Sequence, residues 1–183
     1  MFYCFLADGF EEIEAITTVD MLRRAGIDMK TVAVNDDNNR TVRGAHNIPV
    51  VADMHICDTD TTDLQGVFLP GGMPGTTNLD ESADVRNLIS YCADNDKYIF
   101  AICAAPSVLG HMGLLNGKKS TCYPGFEGEL TGAVYCDEPA VQDKKIITGK
   151  GPGATIDFSK LIVTELISEE VANSLCAAMQ CSE

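Results

Sequence analysis

The chain alternates short apolar runs with segments whose apolar residues recur at helical steps, an order that few architectures accept. Phe2–Ala7 reads as the first strand. Asp8-Gly9 then turns into a helix over Glu11–Ala25, with Ile13, Ile16, Val19 and Leu22 at near-helical steps and Gly26 as its stop. Met29–Val34 is the second strand, Asp36-Asp37-Asn38-Asn39 a turn, Ile48–Ala52 a short strand and Asp58–Asp63 a polar stretch. The Val67–Leu69 strand ends in Pro70-Gly71-Gly72-Met73-Pro74-Gly75, and a helix covers Ser82–Ala93, with Val85, Leu88, Ile89 and Cys92 on one face. Tyr98–Ile102 is a buried strand, and Ala104-Ala105-Pro106 after it suits the first turn of a helix. Strand-like pieces follow at Lys119–Cys122, Ala140–Gln142 and Lys145–Thr148, then helices from about Thr155 to Ile167 and Val171 to Met179. Strands separated by helices predict an α/β fold with a mostly parallel sheet covered on both faces, because parallel strands need crossover connections. No repeat or Pro-rich linker divides the sequence, so residues 1–183 are read as one domain.

Charge narrows the partners. With 13 Lys and Arg against 27 Asp and Glu, the net charge of −14 repels phosphate backbones and anionic lipid surfaces. The opening apolar run Met1–Ala7 lacks a basic flank and stops far short of the roughly 20 residues a spanning helix needs, so neither a signal peptide nor an anchor is expected. Eight cysteines show no CxxC or regular framework, which fits reduced thiols in a cytoplasm better than a disulfide scaffold. Cys4, Cys92 and Cys176 read as core, and Cys57 as a thiol in a polar loop. His46, His55 and His111 stand at no zinc-finger spacing, so no metal is expected.

In an open α/β sheet, sites form outside the carboxyl ends of the strands. Ala101-Ile102-Cys103-Ala104-Ala105 has the layout of a nucleophile elbow, with one reactive side chain at a sharp turn between strand and helix. A helix amino end would favour the Cys103 thiolate; the plainer alternative is one more buried small hydrophobe. Glu14, in the first turn of the first helix, reaches the same end of the sheet. Held against a thiol in an apolar cleft it would stay protonated and act as acid or base, whereas otherwise it only complements the helix dipole, as Glu11 and Glu12 are expected to do. Gly71-Gly72 lets backbone N–H groups approach a reacting oxygen, so Gly72 and Ala104 form a candidate oxyanion site, or else Gly72 serves a tight turn. Gly151-Pro152-Gly153 reads as a helix entry.

Taken together, Asp8–Glu14, Leu69-Pro70-Gly71-Gly72, Ala101–Pro106 and Gly149–Ala154 resemble the ThiJ/PfpI superfamily, nearest its YajL-like branch, which also holds the parkinsonism-associated protein deglycase. The resemblance spans nearly the whole chain. It implies a flavodoxin-like three-layer α/β/α sandwich, usually a homodimer, with Cys103 as nucleophile, Glu14 as its protonated partner and Gly72 with Ala104 as the backbone anion site. Asp20 and Arg24 match family positions near the dimer cleft. Two departures stand out: Tyr123 occupies the place where the branch often has a histidine, and His46 falls where relatives carry an arginine beside the cleft. Tyrosine, with a reference pKa of about 10, is a poor proton shuttle near neutrality. The peptidase branch needs a histidine directly after the nucleophile, where this chain has Ala104, so peptidase chemistry is a minor alternative, and the family's thiamine-thiazole label finds neither support nor exclusion.

The activity expected is therefore cofactor-independent attack by Cys103 on small reactive carbonyls such as methylglyoxal, or on its early adducts with amines. The alternative is a peroxide-responsive redox sensor or stress chaperone, in which Cys103 is oxidised and turnover is absent or incidental.

Overall fold

The computed structural model describes residues 1–181. In chain order its elements are β1 (Phe2–Ala7), α1 (Glu12–Arg24), β2 (Met29–Val34), β3 (Thr41–Arg43), β4 (Pro49–Val51), β5 (Met54–His55) and β6 (Gly66–Leu69). They continue as α2 (Gly75–Glu81), α3 (Ala83–Asp94), β7 (Tyr98–Ile102), α4 (Pro106–His111), β8 (Lys119–Ser120) and β9 (Val134–Tyr135). β10 (Ala140–Asp143), β11 (Ile146–Gly149), α5 (Thr155–Leu166) and α6 (Glu169–Ala178) complete the order. Seven strands form one sheet in the order β10-β11-β7-β6-β1-β2-β5. All neighbours in it are parallel except the edge hairpin β10–β11.

Alternation along β1 shows why the sheet needs cover on both faces. Phe2, Cys4 and Leu6 pack with Ala15, Val19 and Leu22 of α1 and Phe158, Ile162 and Val163 of α5. Tyr3, Phe5 and Ala7 pack on the opposite face with Leu79 of α2, Leu88 and Ile89 of α3, and Val108 and Leu109 of α4. A strand buried on both faces reads as a continuous apolar run, which is how β1, β6 and β7 stand out in the sequence. Flanking helices over a mostly parallel sheet make this the flavodoxin-like α/β/α sandwich.

Several local expectations change. The α1 helix turns Ile13 and Ile16 outward, 55% and 41% exposed, while Glu14 and Ala15 face in. The strand expected over Ile48–Ala52 shortens to β4, which pairs with β3 as a separate two-stranded ribbon. Lys119–Cys122 likewise shortens to β8 and pairs with β9 outside the main sheet. Helix α2 arises inside a stretch whose Gly and Pro residues suggested only a loop, and α4 begins at Pro106 rather than beside Cys103. Cys176 is only half-buried, although Cys4 and Cys92 are core, and all eight cysteines are free. No helix among the described residues is long and apolar enough to cross a membrane.

A three-way contact ties together the segments behind the site. The imidazole of His111, at the end of α4, meets Asp80 of α2 through Nδ1 at 2.7 Å and Glu129 through Nε2 at 2.9 Å, and Arg86 also pairs with Asp80. Glu129 and Asp80 both favour imidazolium and raise the His111 pKa. A histidine whose folded pKa is raised stabilises fully below its unfolded value of about 6.5 and loses that contribution as pH rises through the folded value. His111→Gln is therefore expected to lower the unfolding free energy at pH 6 more than at pH 9, by about 1 kcal/mol or less given the partial exposure, as read by thermal unfolding at the two pH values.

Candidate active site

Strand order places the site. From β1 the chain runs outward to β2 and β5, then returns to the other side of β1 for β6, β7 and β11, so β1 and β6 flank the point where the winding reverses. Glu14 follows β1, Gly71 and Gly72 follow β6, and Cys103 follows β7. Three segments far apart in sequence thus end within one small volume.

The elbow has the predicted form. Cys103 adopts φ +65°, a left-handed conformation unusual for a residue with a side chain. The turn holds through the Cys103 N–H, which donates to the Gly149 carbonyl at 2.9 Å, and through the Tyr123 N–H, which donates to the Cys103 carbonyl at 2.8 Å. Neighbouring Ala104 and Ala105 are buried beside the turn.

Glu14 is fully buried, and Glu11 at the helix start accepts its backbone N–H at 2.8 Å, fixing the first turn of α1. Its Oε2 accepts the Gly71 N–H at 2.8 Å. Oε1 has no protein partner in full hydrogen-bonding geometry, and the Cys103 thiol couples to the same carboxyl. Burial pushes the Glu14 pKa up to about 7, against the smaller lowering effects of the Cys103 and Gly71 contacts.

For Cys103 the electrostatics differ from the expectation of a ready thiolate. Burial, with the sulfur-bearing residue only 8% exposed, pushes the thiol up, and the adjacent Glu14 carboxylate pushes it further. The backbone N–H groups of Ala104 and Gly72 favour the sulfur anion and pull the other way. α4 is short and begins three residues after the cysteine, so two specific N–H groups rather than a long helix dipole favour the anion. Two negative charges cannot share this dry volume, so the pair keeps at least one proton as Glu14 titrates near neutrality.

Gly71 and Gly72 have separate duties. A Cβ on Gly71 would lie 2.6 Å from the Cys103 Cβ and 2.7 Å from Glu14 Oε2, so the absent side chain is what lets acid and thiol meet. Gly72, at φ +90°, has no room for a side chain, since a Cβ would collide with the Glu11 nitrogen and lie 2.5 Å from the Gly9 carbonyl oxygen, and its N–H favours the Cys103 anion.

The remaining sequence candidates lie further out. Tyr123 projects an exposed ring onto Gly151 and lines a cleft of about 320 Å³ with Pro124, Lys150 and Pro152; the Gly151-Pro152-Gly153 run is a helix entry, leading into α5. His46 donates its backbone N–H to Glu12 Oε1 and meets Glu12 Oε2 through Nδ1, each at 2.8 Å, which raises its pKa. Glu12 therefore clasps the 44–48 loop rather than merely facing the helix dipole. Glu11, Glu12 and His46 bring ligand-type atoms within 4.8 Å of one another, but Glu11 caps α1 and Glu12 holds His46. Asp20 and Arg24 pair at 2.7 Å on the exposed face of α1, roughly 10–15 Å along the axis from Glu14, and do not join the elbow within this chain.

None of the three histidines contacts Cys103: His46 binds Glu12, His55 binds Asn35 and Cys57, and His111 binds Asp80 and Glu129. Sequence reading missed the His55 cluster. Its signal was the His55-Ile56-Cys57 spacing, which brings imidazole and thiol together only across a tight turn.

A sequence model described as the DJ-1/PfpI family matches residues 2–165. The chain is 36% identical to the protein DJ-1 homolog B of Arabidopsis thaliana over 91% of its own length and 38% of that relative. It therefore spans less than half the length of this relative. Against protein dj-1beta of Drosophila melanogaster identity is 34%, covering 94% of this chain and 95% of the relative. A Caenorhabditis elegans protein named glutathione-independent glyoxalase DJR-1.2 is 32% identical over 90% of this chain and 87% of its own. Among solved structures, a mutant of a DJ-1 superfamily protein from Salmonella typhimurium superposes with TM-score 0.93 at 33% identity, covering 100% of this chain and 98% of that one. Toxoplasma gondii DJ-1, in an oxidized form, gives TM-score 0.94 at 31% identity, with the same coverage.

Proposed function

The chain belongs to the DJ-1/PfpI family, and from that premise we propose that it is a cofactor-independent thiol enzyme of the glyoxalase or protein deglycase type, acting on methylglyoxal or its early adducts with amines. The observation that supports this reading is the burial of the Glu14 carboxyl against Cys103, with both groups crowding the side-chain-free Gly71 and Glu14 Oε2 accepting the Gly71 N–H. The name of the nematode relative supports the substrate class.

On this reading Glu14 takes the thiol proton as the Cys103 sulfur attacks the aldehyde carbon of methylglyoxal, and passes it to the new hemithioacetal oxygen. The Gly72 and Ala104 N–H groups follow the negative charge from sulfur to that oxygen. The freed carboxylate moves the carbon-bound proton to the neighbouring carbonyl carbon through an enediol, which leaves a thioester on Cys103. Water hydrolyses it, releasing lactate and restoring the thiol. Every proton transfer lies within reach of one carboxyl, so no histidine is needed, and Tyr123 serves at the mouth of the cleft rather than as a shuttle.

A homodimer through the outer face of α1 is part of the proposal, supported by the exposed Ile13 and Ile16 beside the Asp20–Arg24 pair. So is a cytoplasmic location, supported by eight free thiols.

The test is lactate formation from methylglyoxal in an amine-free buffer. Product accumulating over many turnovers, and falling to background with Cys103→Ser, is the expected result. Parent-chain turnover no greater than that of Cys103→Ser would overturn the glyoxalase form. The redox-sensor reading rests on the same carboxyl, which would hydrogen-bond an oxidised sulfur, and it predicts instead a stable added mass on Cys103 after peroxide, without turnover.

A further inference from the structure

A cysteine–histidine pair lies at the sheet edge, four strands away from the one that leads to Cys103. His55, at the end of β5, is 5% exposed, and its Nδ1 stands 3.0 Å from the sulfur of exposed Cys57. Its Nε2 stands 3.0 Å from both the backbone carbonyl and the side-chain oxygen of Asn35. The Asn35 amide is oriented independently, because its Nδ2 donates to the Asn39 carbonyl at 2.8 Å. A backbone carbonyl only accepts, so Nε2 carries the proton and Nδ1 presents its lone pair. The Cys57 backbone N–H also points at this Nδ1, at 3.3 Å, so thiol and amide share its one lone pair, with the thiol sulfur the nearer at 3.0 Å. Asp58 accepts the His55 N–H at 3.4 Å and closes a reciprocal cap around the Ile56–Asp58 turn.

The three side chains stand in the order nucleophile, base and orienting amide, with the imidazole held before any substrate arrives. We propose that Cys57 is a second nucleophilic thiol, with His55 as its general base and Asn35 as the group that orients the imidazole, and that it exchanges with small uncharged or cationic disulfides. Its sulfur attacks one sulfur of the disulfide, so a new S–S bond forms as the old one breaks. The thiol proton passes to His55 Nδ1 and then to the departing thiolate, which leaves as a thiol. A second thiol reverses the step.

The surroundings choose the class of disulfide. Asp58 lies on the same turn, 3.8 Å from the Cys57 sulfur, and Asp84 acts on it from α3. A cleft of about 600 Å³ beside Asn35 and Ile56 has Asp8, Asp36, Glu81 and Asp84 as its titratable lining groups, with no lysine or arginine among them. Anionic disulfides are repelled there and cationic ones drawn in. Local desolvation and the Asp58 carboxylate also push the Cys57 thiol up, so without His55 this thiol would react more slowly in the folded chain than in an unfolded one.

That opposition gives the test its sign. The full chain at pH 7 and low salt is treated with cystamine or with glutathione disulfide, and mixed disulfide on the Cys57 peptide is followed by mass spectrometry. The comparison is the same chain unfolded in urea. The expected result is native Cys57 reacting with cystamine at least about tenfold faster than unfolded Cys57, an advantage that His55→Gln removes. Glutathione disulfide is expected to react at least about tenfold more slowly than cystamine, with the gap closing as salt rises. Native Cys57 reacting no faster than the unfolded thiol would overturn the proposal and leave His55 as a turn cap. Equal rates for the two disulfides at low salt would overturn the assigned class.

Discussion

At pH 8 a Glu14→Gln chain is expected to resist urea better than the parent, by about 2 kcal/mol, while its methylglyoxal turnover falls at least about 100-fold. The gain follows from the proton balance. Glu14 releases its proton at about 7 in the folded chain against 4.5 for an ordinary glutamate, so the folded state holds that proton more tightly. The stability this lends is complete below pH 4.5 and is lost as pH rises through 7, where the folded chain must bury a carboxylate. A shift of this size corresponds to about 3 kcal/mol, reduced here because Cys103 shares the proton. Gln carries no charge, and its oxygen can still accept the Gly71 N–H. The two urea curves should therefore converge below pH 4.5 and separate at pH 8. A variant equally stable at both values would show that the carboxylate is not strained. The activity loss has the same origin, since an amide takes no proton from sulfur or carbon. For the parent chain, kcat/KM should rise through an apparent pKa near 7 that belongs to the pair, and in the variant that rise should move upward toward the thiol.

Gly71→Ala should separate the two groups without altering either. The new methyl would meet the Cys103 Cβ and Glu14 Oε2 well inside contact distance, and the Ile102 carbonyl at 3.0 Å closes the third side. The carboxyl must rotate away or the elbow must shift, at about 1–3 kcal/mol of stability. Turnover should fall at least about 100-fold, because an ångström-scale misplacement of acid and nucleophile has effects of that order. Circular dichroism with steady-state lactate formation checks both halves. Unchanged turnover in a folded Gly71→Ala chain would mean that Glu14 and Cys103 do not act in contact.

The sequence made the sheet legible because its central strands are buried on both faces and therefore appear as unbroken apolar runs. The positions of Cys103 and Glu14 were legible for a related reason: Cys103 directly follows one such run and Glu14 lies in the first turn of the helix after another, both at the strand ends where an open sheet forms its clefts. What could not be read was set by distance in space. The direction of the Cys103 shift depends on Glu14 lying against it, and no local pattern states that. Ile13 and Ile16 satisfied a helical period, yet the stripe that turns inward is Glu14, Ala15, Thr18 and Leu22. Helix α2 was hidden by the Gly and Pro residues before it. Cys57 read as a loop thiol because Asn35, which fixes its histidine, comes from the end of β2.

The strand order also bears on how the chain is made. The Cys103 N–H is held by the carbonyl of Gly149, and β7 gains its outer neighbour only when β11 pairs with it. During vectorial synthesis the nucleophile leaves the ribosome long before the residues that bend its backbone. A nascent chain lacking β11 thus lacks the carbonyl that accepts the Cys103 N–H and the strand that covers this side of β7. The bent backbone at Cys103 is in this sense completed only in the nearly finished polypeptide, by the late arrival of a single strand.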